Sequence, residues 1–223
     1  MMRKFSWMLL LLLAFSVYAE DGKEVVVGSA EELKGVTAKK VIWKTGGREM
    51  VLDRPYTRTQ YKEKKTFDRL GNPITKKVKV LDSSPSLWFD TTEVTVGQFK
   101  KFLAGTNHPF DGNLWENVYK YSPTVAHPMI MVIWHDATAY AKWAGKRLPT
   151  EKEREFAARG GLKNKNYPWG DGKSLARDYA NYKGTGGKDI WTRTSPVGSF
   201  EPNGYGLNAV SGNVWEWTND LYD

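Results

Sequence analysis

The last third of the chain constrains its fold most, because it is long, irregular and free of covalent cross-links. From Gly161 onward the sequence is mostly loop, with stretches such as YPWGDG, NYKGTGGKDIW and SPVGSFEPNGYG. Roughly sixty residues of loop are unusual in a compact domain and need internal cross-links. The 223 residues contain no cysteine, which excludes disulfides and thiolate chemistry for them. Buried tryptophans and bound cations are the devices that remain.

Three helices with clear end signals precede these loops. The first, TVGQFKKFLAG, begins with a capping box of Thr95 and Gln98 and ends at a glycine. The second, HDATAYAKWAG, ends at Gly145. The third, LPTEKEREFAARGG, opens with Thr150 and Glu153 in the same capping pattern. Apolar residues recur at helical spacing in the first two, which predicts that one face of each is buried.

The segment before these helices is β-like. EVVVG and KKVIWKT are β-branched runs, and SAEELKG between them predicts a single capped helical turn. Residues 46–80 are polar and broken by Gly and Pro, with RLGNP a turn signal. KKVKVLD alternates charged and apolar residues as an edge strand does. We therefore expect an α+β chain with an N-terminal β-like segment over residues 20–44.

The first nineteen residues have the pattern of an export signal. Arg3 and Lys4 form its positive end, WMLLLLLAF its apolar stretch, and VYA a small-residue cleavage site that ends at Ala19. The apolar run is shorter than the ~20 residues that span a bilayer, so we favour a cleaved signal peptide (residues 1–19) over a membrane anchor. We expect an exported protein, periplasmic or extracellular, with no stable membrane span after cleavage.

The chain is basic, with a formal net charge of +8. Its lysines and arginines are spread along the sequence, and they are densest between Tyr61 and Lys79. A nucleic-acid groove needs clustered basic residues with interleaved aromatics, and no such cluster occurs. We interpret the charge as a solvated basic surface and expect no nucleic-acid partner.

A set of motifs in one order resembles the formylglycine-generating enzyme family, also called sulfatase-modifying factors. The motifs are TTEVTVGQF, HPMIMVIWHDATAYAKWAGKRLPTEKEREFAARGG, YPWGD, YAN, SPVGSFEPNGYGL and SGNVWEW. The resemblance runs from Thr91 to the end, and from the mid-forties if GGREMVLDRP is a diverged first strand, which suggests a domain over 45–223. It implies a C-type-lectin-like variant of the α+β class, rich in irregular loops and bound calcium.

The resemblance also implies a chemistry. Enzymes of this family oxidise a cysteine of a sulfatase to formylglycine with molecular oxygen and copper held by two cysteines. Those cysteines follow the GNVWEW stretch in a segment with RGGS-type and GFR-type strands, which we expect these 223 residues to lack. We therefore expect no catalytic residues, no copper and no oxidase activity in the chain. A sulfatase-type protein or peptide is the implied partner. We expect Trp215 and Trp217 to belong to the core of a domain whose closing strands are absent, which would leave an apolar face uncovered.

The resemblance implies a first calcium site in ANYKGTGGKDIW. Its ligands would be the side chain of Asn181, the carbonyl of Tyr182, the side chain of Asp189 and the carbonyl of Trp191. Mixed carboxylate, amide and carbonyl oxygens suit calcium, which takes six to eight of them. The alternative is an ordinary polar loop in which Asn181 caps a turn.

A second calcium site is implied around SGNVWEW. The carbonyls of Val210, Gly212 and Val214 and the carboxylate of Glu216 would be its ligands. The remaining side-chain ligand falls on Ala209, which has no side-chain oxygen, so this site is expected to be weaker. The alternative is that Glu216 bonds backbone amides of its own loop.

A different class of function stays open beside the enzyme family. It is a non-catalytic, calcium-stabilised binding or scaffold module of the cell envelope. EPN and WTND resemble the calcium-dependent sugar motifs of C-type lectins, but WTND carries an extra residue, so we expect no sugar binding by that route. His108, His127 and His135 are too scattered for a metal cluster, and we expect all three to be structural.

Overall fold

The computed structural model describes residues 25–34, 36, 38–45, 48–53, 56–67, 73–84 and 87–221. The predicted signal peptide, residues 20–24 and most of the predicted RLGNP turn lie outside this part. Within it, no helix combines the length and the apolar character that crossing a membrane requires.

Four of the six strands in the described part of the chain form one sheet. The six are β1 (Val26–Val27), β2 (Lys40–Trp43), β3 (Arg48–Asp53), β4 (Tyr56–Phe67), β5 (Pro73–Ser84) and β6 (Leu87–Asp90). The sheet has the order β1-β2-β3-β6, with β1 parallel to β2 and the other pairs antiparallel. The expected helical turn, α1 (Ala30–Leu33), connects β1 to β2, and the Ser29 side chain accepts a hydrogen bond from Glu32 N at 3.2 Å. The described part of the N-terminal β-like segment thus shares a sheet with Arg48–Asp53.

The other two strands form a long hairpin that the sequence predicted only in part. β4 and β5 are antiparallel along their whole 12-residue lengths, from the pair Tyr56–Ser84 to the pair Phe67–Pro73. KKVKVLD lies in β5, so its assignment as a strand is confirmed. The expectation that residues 46–80 are otherwise broken was wrong, since β4 is a continuous 12-residue strand. The sequence did not reveal β4 because this strand, although rich in strand-favouring Tyr and Thr, lacks the apolar alternation that marks a half-buried strand.

All three predicted helices are present. The helices after α1 are α2 (Val96–Gly105), α3 (Leu114–Tyr121), α4 (Trp134–Trp143), α5 (Glu151–Arg159) and α6 (Ala176–Tyr179), the last preceded by a 3-10 turn, Lys173–Leu175. The capping boxes at Thr95 and Thr150 both form, and Gly160 ends α5 in the left-handed region at φ 56°. The sequence did not predict α3, which has no side-chain cap and only Val118 fully buried.

Three hydrophobic clusters hold these elements together. The helical cluster joins α2, α3 and α4 through Val96, Phe99, Phe102, Val118, Met129, Tyr140 and Ala144. The sheet cluster consists of Val25, Val27, Val41, Trp43 and Met50. Trp43 Nε1 donates to the Ala144 carbonyl at 2.6 Å and so links the sheet to the end of α4. The third cluster packs Val51 of β3 against Ala157 of α5 and Leu207 of the following loop.

Candidate functional site

A cavity of about 490 Å³ lies between the larger sheet, α4, α5 and the loop over residues 207–217. Its apolar wall includes Trp43, Met50, Trp88, Leu207 and Trp217. Charged side chains also line it, namely Asp90, Glu93, Lys146, Arg147, Glu153, Arg154 and Glu216. The cavity therefore combines large aromatic surfaces with ions of both signs, as ligand-binding clefts do.

The ions on one wall of the cavity form pairs. Lys146 Nζ donates to Asp90 Oδ1. Arg147 binds both Glu153 oxygens, at 2.7 and 2.8 Å. The hydrogen bonds from Arg147 lower the pKa of Glu153 to about 2, helped by the backbone N–H of Thr150. The cavity lining thus includes two ion pairs, Lys146–Asp90 and Arg147–Glu153.

The SGNVWEW stretch contacts α4 and α5 but does not lie in the core. Trp215 is 103% exposed. Trp217 is 48% exposed, and its Nε1 donates to the Val132 carbonyl at 3.0 Å. In the opposite direction, Trp134 Nε1 donates to the Thr218 carbonyl at 2.9 Å. These two indole bonds fix the stretch along the start of α4.

Asn213 is the centre of a polar network beneath the loops. Its side-chain Nδ2 donates to Glu93 Oε1 at 2.8 Å, and its Oδ1 accepts from Ser195 N at 2.9 Å and from Asn181 Nδ2 at 3.2 Å. Its backbone N–H donates to the Asn181 carbonyl at 2.7 Å. Asn213 is in the left-handed region at φ 57°, which asparagine tolerates better than most residues. One side chain thus joins three separate loop segments.

The structure brings together two of the four ligands predicted for the first calcium site, the Tyr182 carbonyl and the Asp189 carboxylate. The Asp189 side chain is fully buried and accepts hydrogen bonds from Tyr182 N at 3.3 Å and from Trp191 N at 3.4 Å. Arg177 Nη1 donates to Asp189 Oδ2 at 2.9 Å and to the Tyr182 carbonyl at 3.4 Å. The Asn181 side-chain Nδ2 donates to Asn213 Oδ1 at 3.2 Å and to the Arg193 carbonyl at 2.5 Å. A guanidinium therefore already contacts two of the predicted ligands.

The second predicted site has the same arrangement. Arg154 Nε and Nη2 donate to the two Glu216 oxygens at 3.0 and 2.7 Å, and Nη2 also donates to the Val210 carbonyl at 3.1 Å. Among the described residues, no hydrogen bond engages the carbonyls of Gly212 and Val214. Ala209, in the position of the missing ligand, is buried at φ 49°.

As arranged, neither predicted site fits a calcium ion. At each one, an arginine donates to the single carboxylate and to one of the expected carbonyls. A guanidinium has only donors, so it cannot join a cation's coordination shell. Calcium would require each arginine to leave the oxygens that it binds.

These arginines were missed by the sequence analysis. Arg154 lies three positions before Ala157, the most buried residue of α5, so a cation on the apolar face of a helix was the available signal. Arg177 carries no such signal, because only the folded loop brings it to Asp189, twelve positions later. The pairing of Arg177 with Asp189 therefore could be recognised only from the folded structure.

Two of the three histidines make polar contacts with neighbouring side chains. His108 Nε2 lies 2.8 Å from Asp136 Oδ1, and His127 Nδ1 lies 2.7 Å from Thr124 Oγ1. His135 is exposed on α4. In the described part of the chain, no group of three or more His, Asp or Glu side chains could hold a metal ion.

Comparison with known proteins identifies the family. The model of the sulfatase-modifying factor enzyme 1-like domain matches residues 32–223, most of the chain. The chain belongs to this family. It is 54% identical over 103 residues to the formylglycine-generating enzyme of Thermomonospora curvata, covering 43% of this chain and 34% of that enzyme. It is 50% identical over 103 residues to the formylglycine-generating enzyme of Mus musculus, covering 43% of this chain and 28% of that enzyme.

A relative described as inactive is about as similar. The inactive C-alpha-formylglycine-generating enzyme 2 of Bos taurus is 50% identical over 102 residues, covering 43% of this chain and 33% of that protein. The chain spans about a third of the length of the curated relatives it matches. Over this 43% of the chain, the identity is thus similar to relatives described as enzymes and to one described as inactive. The mixed helix and sheet architecture is consistent with this family.

Proposed function

We propose that these residues form the partner-binding framework of a formylglycine-generating-enzyme-like domain and do not themselves carry out the oxidation. The observation that carries the proposal is the lack of cysteine in all 223 residues. Copper(I) prefers soft thiolate ligands, and the family resemblance implies two of them. The donor set of these residues does not fit a copper centre, so we derive no oxidation step through it.

The cavity supports a binding role. Its volume of about 490 Å³ lies within the range of ligand pockets, ~300–1,000 Å³. Trp88 and Trp217 offer apolar surface to side chains, and the ion pairs of Lys146 and Glu153 stand on the same wall. A stretch of extended peptide has both apolar and polar groups, which this wall would accommodate. We therefore infer a protein or peptide partner of the sulfatase type.

The proposal also covers the type of fold and the cellular location of the protein. We infer the C-type-lectin-like variant from the motif order and from the long irregular loops after α5. We infer export to the periplasm or the extracellular space from the signal pattern over residues 1–19. N-terminal sequencing of the mature protein checks the latter, with Glu20 expected as the first residue.

A second candidate function is a non-catalytic binding or scaffold module of the cell envelope. The similarity to a relative described as inactive supports considering it, because the 50% identity to that relative equals the identity to the mouse enzyme. The two candidates differ in the partner, since only the first requires recognition of a sulfatase-type peptide.

One experiment tests the proposal and separates the candidates. The purified protein is incubated with a sulfatase-type cysteine peptide, copper and oxygen, and aldehyde is captured with a hydrazide reagent. Peptide binding is followed in parallel by tryptophan fluorescence. We expect saturable binding without aldehyde. Aldehyde formation would overturn the non-catalytic assignment, and an absence of binding would favour the scaffold module.

A further inference from the structure

We propose that the guanidiniums of Arg177 and Arg154 take the place of calcium ions, so that the two candidate calcium loops of this chain close without a metal. Each arginine supplies the positive charge that the loop's carboxylate requires. The inference does not depend on the proposed binding function, because it concerns how the loops are held.

The first loop is closed around Arg177. Asp189 is fully buried, and a buried carboxylate without a partner is strongly unfavourable. Arg177 meets this need with a charge-assisted bond of 2.9 Å. The same guanidinium donates to the Tyr182 carbonyl at 3.4 Å and to the Lys183 carbonyl at 2.6 Å, and it lies 4.2 Å from the centre of the Tyr182 ring. Four separate contacts thus hold it over the loop.

The second loop uses Arg154 in the same way. Its two bonds to Glu216 are bidentate, the strongest arrangement for an arginine and a carboxylate. Its third bond, to Val210, reaches another of the predicted calcium ligands. Glu216 is 34% exposed, whereas Asp189 is fully buried, so this pair is the weaker of the two.

The glycines of the first loop are an independent sign that it is shaped around an arginine. A Cβ on Gly184 would lie 2.9 Å from Arg177 Nη2, and a Cβ on Gly186 would lie 2.9 Å from Arg177 Cδ. Both glycines have positive φ, at 93° and 151°. The loop therefore wraps the side chain as closely as a backbone can, and only glycine permits this approach.

Calcium and arginine exclude each other at these sites. A divalent ion on Asp189 would lie within a few ångströms of the Arg177 guanidinium, where repulsion between like charges is strong in a buried setting. Arginine remains protonated at any physiological pH, so it cannot lose its charge to make room. Wild-type protein is thus expected to ignore calcium, whereas a variant without the arginine exposes oxygens that a hard cation prefers.

The test compares purified wild-type protein with Arg177→Gln, Arg154→Gln and the control Arg159→Gln. Arg159 pairs with an exposed carboxylate, Glu155, on the same helix as Arg154. Thermal unfolding is measured in excess chelator and in millimolar calcium, and Tb³⁺ luminescence sensitised by tryptophan reports direct cation binding. For wild type and the control, we expect no calcium shift and no stoichiometric Tb³⁺ signal.

Arg177→Gln should unfold on the order of 10 °C lower in chelator, because it leaves a buried carboxylate unpaired. Calcium should recover part of that loss and Tb³⁺ luminescence should appear, with Arg154→Gln showing smaller changes of the same kind. If Arg177→Gln does not fold, two other measurements decide the question. One is the thermal unfolding of Arg177→Lys, which keeps the charge, and the other is the response of wild-type protein to calcium and Tb³⁺. A calcium-dependent rise in the unfolding temperature of wild type, a stoichiometric wild-type Tb³⁺ signal, or an Arg177→Gln protein as stable as wild type would overturn the proposal.

Discussion

Asn213 donates a 2.8 Å hydrogen bond from its side chain to Glu93, which lies 120 positions earlier in the chain. The bond connects the loop region of the C-terminal third to the segment between β6 and α2. Because the same side chain also bonds Asn181 and Ser195, one residue fixes the relative positions of three loops. Because the chain has no cysteine and thus no disulfides, this hydrogen-bond network holds together segments that are distant in sequence.

We predict that Asn213→Ala lowers the free energy of unfolding by about 2–4 kcal/mol. The change removes the network's central donor and acceptor and places alanine in the left-handed region. Urea unfolding measures the difference. Asn208→Ala is the matched control, because Asn208 Nδ2 makes a single described side-chain bond, to the Phe200 carbonyl, and should cost about 1 kcal/mol. Equal losses for both variants would contradict the central role of Asn213.

We predict that Gly212→Ala disrupts the junction between the two candidate calcium loops. A Cβ at this position would lie 2.3 Å from the Asn181 carbonyl oxygen, so the backbone must move. Gly198→Ala is the control, since Gly198 also has positive φ, 76°, but a Cβ there would meet nothing within 4 Å. The control should lose about 1 kcal/mol through strain alone, and Gly212→Ala should lose clearly more. Equal unfolding free energies for the two variants would show that the contact has no cost.

We predict that Glu153→Gln lowers the free energy of unfolding at neutral pH by about 1–2 kcal/mol. Glu153 caps α5 and binds Arg147, and these contacts hold its pKa at about 2, below its ordinary 4.5. A lowered folded pKa means that the stabilisation is complete above pH 4.5 and is lost as the pH falls toward 2.

Stability curves against pH for wild type and Glu153→Gln should therefore converge in acid. Glu155→Gln serves as the control, because Glu155 is exposed and pairs with Arg159 at the surface. Its effect should stay within about 0.5 kcal/mol. A wild-type–Glu153→Gln difference that persists unchanged down to pH 2 would contradict the assignment.

We predict that acidification through pH 6.5 destabilises the protein in part through His127. Burial lowers the pKa of His127 below its ordinary value of 6.5, because it disfavours the charged form. The unfolded chain then takes up the proton more readily, so stability is full above the unfolded pKa and falls below it. Unfolding free energies of wild type and His127→Gln, compared above and below pH 6.5, measure this contribution. The exposed His135→Gln control should keep the wild-type pH dependence, and a His127→Gln protein that also keeps it would refute the prediction.

Local patterns predicted the regular elements of the fold well. The capping boxes at Thr95 and Thr150 depend on residues three positions apart, and both form as expected. The strands β1 and β2 were visible as β-branched runs, and part of β5 was visible as an alternating pattern. By contrast, β4 and β6 were not predicted, because β4 shows no apolar alternation and β6, LWFD, contains no β-branched residue.

The charges of the candidate site depend on contacts that no local pattern contains. Arg154 meets Glu216 across 62 positions, and Arg177 meets Asp189 across a glycine-rich loop whose path is set by positive φ angles. The family motifs indicated which oxygens converge, and these oxygens do converge in part. The guanidiniums that contact these oxygens belong to Arg154 and Arg177, which lie outside the ligand positions of the motifs.

The calcium content of wild-type protein tests the central claim most directly. The protein is purified from calcium-containing medium without chelator, desalted, and analysed by mass spectrometry of its metals against its concentration. If Arg177 and Arg154 hold the two loops in place of calcium, we expect far less than one calcium ion per chain. One or two tightly held calcium ions per chain would contradict the account and return both loops to metal coordination.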